Sequence, residues 1–151
     1  MTMRGVTMSA DDDGVTILSE RECWDLLKSV PLGRLITSVD DHPDVFPVNF
    51  VVQRKTVLFR TAQGAKLVSA AINKNVVFEV DDHNASEAWS VIIRGRARSL
   101  RSDEELEDAE SAHLQSWTGS DKPHYVRILP DMVTGRRFQL GAPQLEQSVP
   151  T

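Results

Sequence analysis

Apolar positions along the chain follow two rhythms. From Ser19 to about Ser29 the spacing is helical: Cys23, Leu26, Leu27 and Val30 fall on one face with Trp24 beside it, and Pro31 and Gly33 stop the run. A second helical stretch over 102–117 is acidic. Both open on a capping box, Ser19 with Glu22 and Ser102 with Glu105. A third, shorter helix is predicted from Gly64 to Ile72, where Leu67, Val68, Ala71 and Ile72 share a face.

Between these the chain reads as strands. Runs rich in β-branched and aromatic residues predict strands at about 34–39, 45–52, 56–61, 76–80, 89–100, 125–129 and 133–140. Asp40-Asp41-His42-Pro43-Asp44 reads as a polar hairpin loop, and 81–87 and 118–123 as further loops. Pro47 cannot donate to a ladder, which places it at an edge or a break of the sheet. Gly95 reads as a bulge or bend, and Pro130 and Gly135 as interruptions of the last strands. Arg94, Arg96 and Arg98 share one face and read first as a solvated or subunit-facing stripe, with ligand contact as the second reading.

Without regular strand–helix alternation, the pattern predicts a mainly β fold with short helices, and a small barrel solves the problem of exposed edges. Residues 1–16, with the run Asp11-Asp12-Asp13, and 141–151 lack periodicity and read as flexible tails around a single domain at 17–140.

Composition narrows the function. In 151 residues the formal net charge is −5, which argues against a general nucleic-acid binder. A lone cysteine, Cys23, cannot form an internal disulfide, and no run approaches the roughly 20 apolar residues of a membrane span. A cytoplasmic protein that does not enter membranes is expected. His42, His83, His113 and His124 are dispersed, so no metal site is expected. Cys23 carries no protease signature, and no G-x-S-x-G, P-loop or dinucleotide fingerprint is present. Chemistry, if there is any, has to come from a cofactor.

One stretch stands apart from this background. Arg60 and Thr61 end a strand, Gly64 opens a helix, and the first turn of that helix carries Lys66 where acidic residues normally sit. Cations beside the positive end of a helix dipole are mutually unfavourable unless an anion joins them, and phosphate is the natural candidate. Just upstream, the break at Pro47 leaves backbone groups around Val48 and Asn49 for a flat polar ligand such as a flavin ring.

Taken in order, Gly33-Arg34-Leu35, Pro47-Val48-Asn49-Phe50, Phe59-Arg60-Thr61 with Gly64 and Lys66, Val77-Phe78-Glu79-Val80-Asp81, Trp89-Ser90-Val91 with Arg94-Gly95-Arg96-Ala97, and Thr134-Gly135-Arg136-Arg137 resemble the pyridoxamine 5′-phosphate oxidase-like family, particularly its short actinobacterial-type members. The resemblance covers residues 18–140. It implies a six-stranded split β-barrel, a homodimer, and FMN at the subunit interface. By similarity Pro47, Val48 and Asn49 line the flavin edge, Arg60, Thr61 and Lys66 hold the phosphate, and Trp89 and Ser90 approach the flavin, from their own or from the partner subunit. The activity implied is an FMN-dependent oxidoreductase acting on a small organic substrate. Relatives that use F420, and relatives that hold a flavin or haem without turnover, are the alternatives; for F420, Arg34, Arg136 and Arg137 are the extra cations. The C-terminal arginine/histidine motif that grips substrate in the true oxidases of vitamin B6 is not found, nor is the histidine that nitroimidazole-resistance relatives tend to have where Arg60 stands.

Overall fold

The computed structural model describes residues 14–61, 70–112 and 124–141. Lys66 and the start of the helix expected at 64–72 lie outside the described residues, as do the C-terminal part of the helix expected at 102–117, the loop at 118–123 and most of both tails.

Among the described residues nine elements follow in order: β1 Val15–Ile17, α1 Glu20–Leu27, β2 Leu32–Val39, β3 His42–Gln53, β4 Thr56–Thr61, β5 Asn75–His83, β6 Glu87–Ser99, α2 Asp103–Glu110 and β7 His124–Gln139. Both capping boxes form. Ser19 Oγ accepts from Glu22 N at 3.1 Å while Glu22 Oε1 accepts from Ser19 N at 2.9 Å, and Ser102 and Glu105 repeat the exchange at 3.1 and 3.2 Å. Helix α1 buries Cys23, Trp24 and Leu27.

Several expected loops are shorter than the sequence pattern implied. Asp40 and Asp41 alone turn β2 into β3, with φ of 52° and 65°, and Val39 pairs with His42. Arg54 and Lys55 do the same between β3 and β4, with φ of 48° and 58°. Two successive positive φ values are what a two-residue hairpin turn needs to match the twist of its strands. Strand β5 runs on through His83, and the next turn is tied by Asn84 Oδ1, which accepts from Ser86 N at 2.8 Å and Glu87 N at 2.9 Å. The short strand β1 begins inside the stretch expected to be tail.

Strand β7 is continuous rather than interrupted. Gly95 faces Pro130 and Arg94 faces Met132, so the bulge absorbs Asp131 and the missing N–H of Pro130 together. Gly95 is required there, because a Cβ would sit 2.2 Å from Leu129 O.

The strands pair in the order β7-β4-β3-β2-β5-β6, and β6 pairs back to β7, so β2–β7 close a six-stranded barrel. Strand β7 gives one edge wholly to β6. Its other edge is divided: residues 124–128 pair with β4 and 136–138 with β1. Helix α1 docks over the interval between them, and Gly135 lets it approach, since a Cβ there would meet Cys23 Sγ at 2.6 Å.

The barrel interior is filled by Leu27, Leu35, Val57, Phe59, Phe78, Val91, Ile93, Val126 and Ile128, among others. Phe50 and Phe78 stack edge to face with centroids 5.0 Å apart. On the outside of β4 and β7 a smaller cluster of Leu58, Leu100 and Tyr125 packs under Ala109 of α2. Buried Arg127 fastens that side. It donates to Thr56 Oγ1 at 2.8 Å and to Gln53 Oε1 at 3.0 Å, and lies 3.6 Å from Asp108 of α2, which also pairs with Arg54. Burial and the neighbouring Arg54 lower the pKa of Arg127. Among the described residues no helix is long and apolar enough to cross a membrane.

Candidate functional site

Strands β3 and β4 leave their turn as partners and then part. Their ladder runs from Gln53–Thr56 to Phe50–Phe59. Asn49 and Arg60 would form the next pair, but each stays with its other neighbour. Asn49, Val48 and Pro47 face Leu32, Gly33 and Arg34 of β2, while Arg60 and Thr61 face Tyr125 and His124 of β7. The two strands therefore diverge, with Pro47-Val48-Asn49 on one lip and Arg60-Thr61 on the other, and the space between these lips is the candidate crevice. Pro47 lacks the donor that would continue a ladder. Gly33 keeps the β2 side closely packed, because a Cβ there would meet Phe78 Cζ at 2.4 Å.

The side chains at the lips differ in orientation. Val48 turns inward to the core, Asn49 is half-buried and Pro47 exposed. Arg60 and Thr61 are half-buried, and the Arg60 guanidinium lies 5.7 Å from the centroid of the Tyr125 ring. A backbone lip facing a guanidinium and a hydroxyl is a donor set that suits a flat heterocycle carrying a phosphate.

Trp89 and Ser90 lie elsewhere. Both are on β6, separated from β3 by β2 and β5, so Ser90 is three strand spacings, roughly 14 Å, around the wall from Asn49. Trp89 is 8 % exposed and joins the core; Ser90 points outward. Within one chain these two do not meet Arg60 and Thr61.

Between the two groups the outer face carries a charged cluster. Arg34 of β2 reaches Asp81 at 2.9 Å and Glu79 at 3.5 Å. Partial burial, then the hydrogen bond and negative charge of Asp81, push the Glu79 carboxyl up to about 7, against the opposing pull of Arg34. The sequence pattern predicts a loop from Asp81, whereas Asp81 lies within β5. Two carboxylates two residues apart in one strand, beside an arginine in the next, were the available signal. Arg137 is tied to Glu87 at 2.8 Å, and Arg136 is exposed opposite Ser90.

Residues 19–137 match the family model described as pyridoxamine 5′-phosphate oxidase. The chain belongs to this family. A solved structure, that of the FAD binding protein from Mycobacterium smegmatis, is 60 % identical, with a TM-score of 0.78 over 83 % of this chain and 100 % of that one. An FAD-binding protein from Mesorhizobium loti is 26 % identical, with a TM-score of 0.69 over 82 % of this chain and 97 % of the other. An uncharacterised Mycobacterium tuberculosis protein is 52 % identical over 91 residues, 60 % of this chain and 83 % of its own length. The mainly antiparallel barrel is thus the split barrel of the pyridoxamine 5′-phosphate oxidase-like fold.

Proposed function

We propose that the protein binds a flavin nucleotide in the crevice between β3 and β4 and acts as an oxidoreductase on a small organic substrate. The observation that carries this is the parting of the two strands at Asn49 and Arg60, which brings the backbone of Pro47, Val48 and Asn49 opposite Arg60 and Thr61. Arg60 and Thr61 hold the first phosphate, joined by Lys66, and the backbone of 47–49 reads the polar edge of the ring. When bound, the flavin supplies hydride or electron transfer.

FMN is the cofactor that the sequence resemblance implies. The 60 % identical relative is named for binding FAD, and this favours the dinucleotide; both share the ring and the phosphate that the crevice suits. F420 is the weaker alternative, because Arg34 is engaged by Glu79 and Asp81, and Arg137 by Glu87, leaving Arg136 among the three candidate extra cations.

A homodimer completes this site. Ser90 is too far from Arg60 in one chain to share a ligand's phosphate end, so its part in binding requires a second copy. Exposed Leu32, Pro47 and Val45 beside the crevice, with Leu32 at 37 % and Val45 at 58 %, offer apolar surface for that copy.

The test is an absorbance scan of protein purified without added flavin, followed by titration with FAD, FMN and F420 and anaerobic reduction with NADPH or NADH. Selective flavin binding with reduction of the bound flavin is the expected result. Colourless protein that takes up neither flavin overturns the reading, and a flavin bound tightly but never reduced by either donor indicates a storage or sensing protein instead.

A further inference from the structure

A second depression lies two strands away from the flavin crevice, on the far side of β2. The β2–β5 ladder holds only Arg34–Glu79, Leu35–Phe78 and Ile36–Val77. Beyond Ile36 and Val77 the strands separate, and a pocket of about 320 Å³ opens over Ile36, Thr37, Ser38, Asn75, Val76, Val77, Arg94, Gly95 and Asp131. Its walls are aliphatic at Ile36, Val76 and Val77.

Its polar groups give the pocket a direction. Thr37 is 2 % exposed, and its Oγ1 is buried without a hydrogen-bond partner among the described residues. A buried hydroxyl left unsatisfied is costly, so its presence in the wall of a cavity points to a group that arrives from outside. Asp44 is the cross-strand neighbour of Thr37, and its carboxylate disfavours an anion at that end. At the other end Arg94 is exposed and in no ion pair among the described residues, and Arg96 follows on the same face. Asp131, in the bulge of β7, also lines the pocket but forms no ion pair with Arg94 among the described residues, so the guanidinium is left to meet an anion.

We infer that this pocket is a binding site for a small hydroxy acid: its carboxylate meets Arg94, its apolar body lies on Ile36, Val76 and Val77, and its hydroxyl satisfies Thr37. The pocket shares no lining residue with the lips of the flavin crevice at 47–49 and 60–61.

Calorimetric titration of the purified chain with 4-hydroxybenzoate and with benzoate tests it. Both acids bind saturably to the wild-type chain. Thr37→Val, which keeps the shape and removes the hydroxyl, weakens 4-hydroxybenzoate about fivefold and leaves benzoate unchanged. Arg94→Gln weakens both about tenfold. The melting temperature of Thr37→Val rises, which separates loss of the ligand contact from loss of fold. Absence of saturable binding overturns the proposal, as does equal binding by the three proteins. If Arg94→Gln instead shifts the monomer–dimer balance in sedimentation with no acid bound, a second copy's side chain fills the pocket and the proposal fails.

Discussion

Phe50 and Phe59 are the last residues to pair between β3 and β4, and everything proposed for the cofactor begins one residue beyond them. Removing a lip should therefore cost binding without costing the barrel. Arg60→Ala is expected to weaken flavin binding by about 1.5–3 kcal/mol, the range for a hydrogen bond to a charged group, with the denaturation midpoint little changed. Lys66→Ala is expected to act in the same direction. Fluorescence titration of the two variants reads both effects.

Glu79 should make stability depend on pH. Partial burial and Asp81 push its carboxyl up to about 7 in the fold, from an ordinary value of 4.5. As pH rises from 4.5 towards 7 the unfolded chain releases this proton first, so the contribution of Glu79 is fully present below 4.5 and is lost as pH climbs through about 7. Urea denaturation across that window should show wild type losing stability relative to Glu79→Gln. Curves that stay parallel would contradict the shared environment of Glu79, Asp81 and Arg34.

The seat of α1 on β7 is testable by a pair of substitutions. Gly135→Ala drives a methyl group against Cys23 Sγ, 2.6 Å from the ideal Cβ position, and is expected to cost about 1–3 kcal/mol. Cys23→Ala removes the obstructing sulfur, so the double variant should be more stable than the sum of the two single losses. A strictly additive result would show that helix and strand do not meet there.

Arg127→Met keeps the apolar stem and removes a guanidinium that joins β7 to Thr56 and Gln53. Chemical denaturation should show a loss of about 1.5–3 kcal/mol. Flavin affinity should change less than with Arg60→Ala, because Thr56 and Gln53 are at the opposite end of the β3–β4 ladder from the crevice.

Much of this architecture was legible in the residue pattern, and the parts that were not have physical reasons. The capping boxes at Ser19 and Ser102 named both helix starts because each reads from four adjacent residues. The break near Pro47 was visible because proline lacks a donor. The hairpins at Asp40-Asp41 and Arg54-Lys55 were harder to delimit, since neither contains the glycine that usually marks a positive φ. Pro130 suggested two strands where there is one, because a bulge on β7 can absorb a proline that a regular ladder cannot. Strand β1, only three residues long, has too little pattern to detect. Trp89 turns inward in alternation with Val91 and Ile93, as the two-residue period of the strand requires. Arg127 reads as an ordinary strand cation; its burial follows from Gln53 and Thr56, which only the β4–β7 pairing brings near.

Titration of the purified chain with FAD, run beside Arg60→Ala, tests the central claim most directly. Saturable binding by the wild-type chain, weakened at least about tenfold in the variant, is the predicted result. No saturation, or equal affinity in the two proteins, would contradict a cofactor held at the parting of β3 and β4.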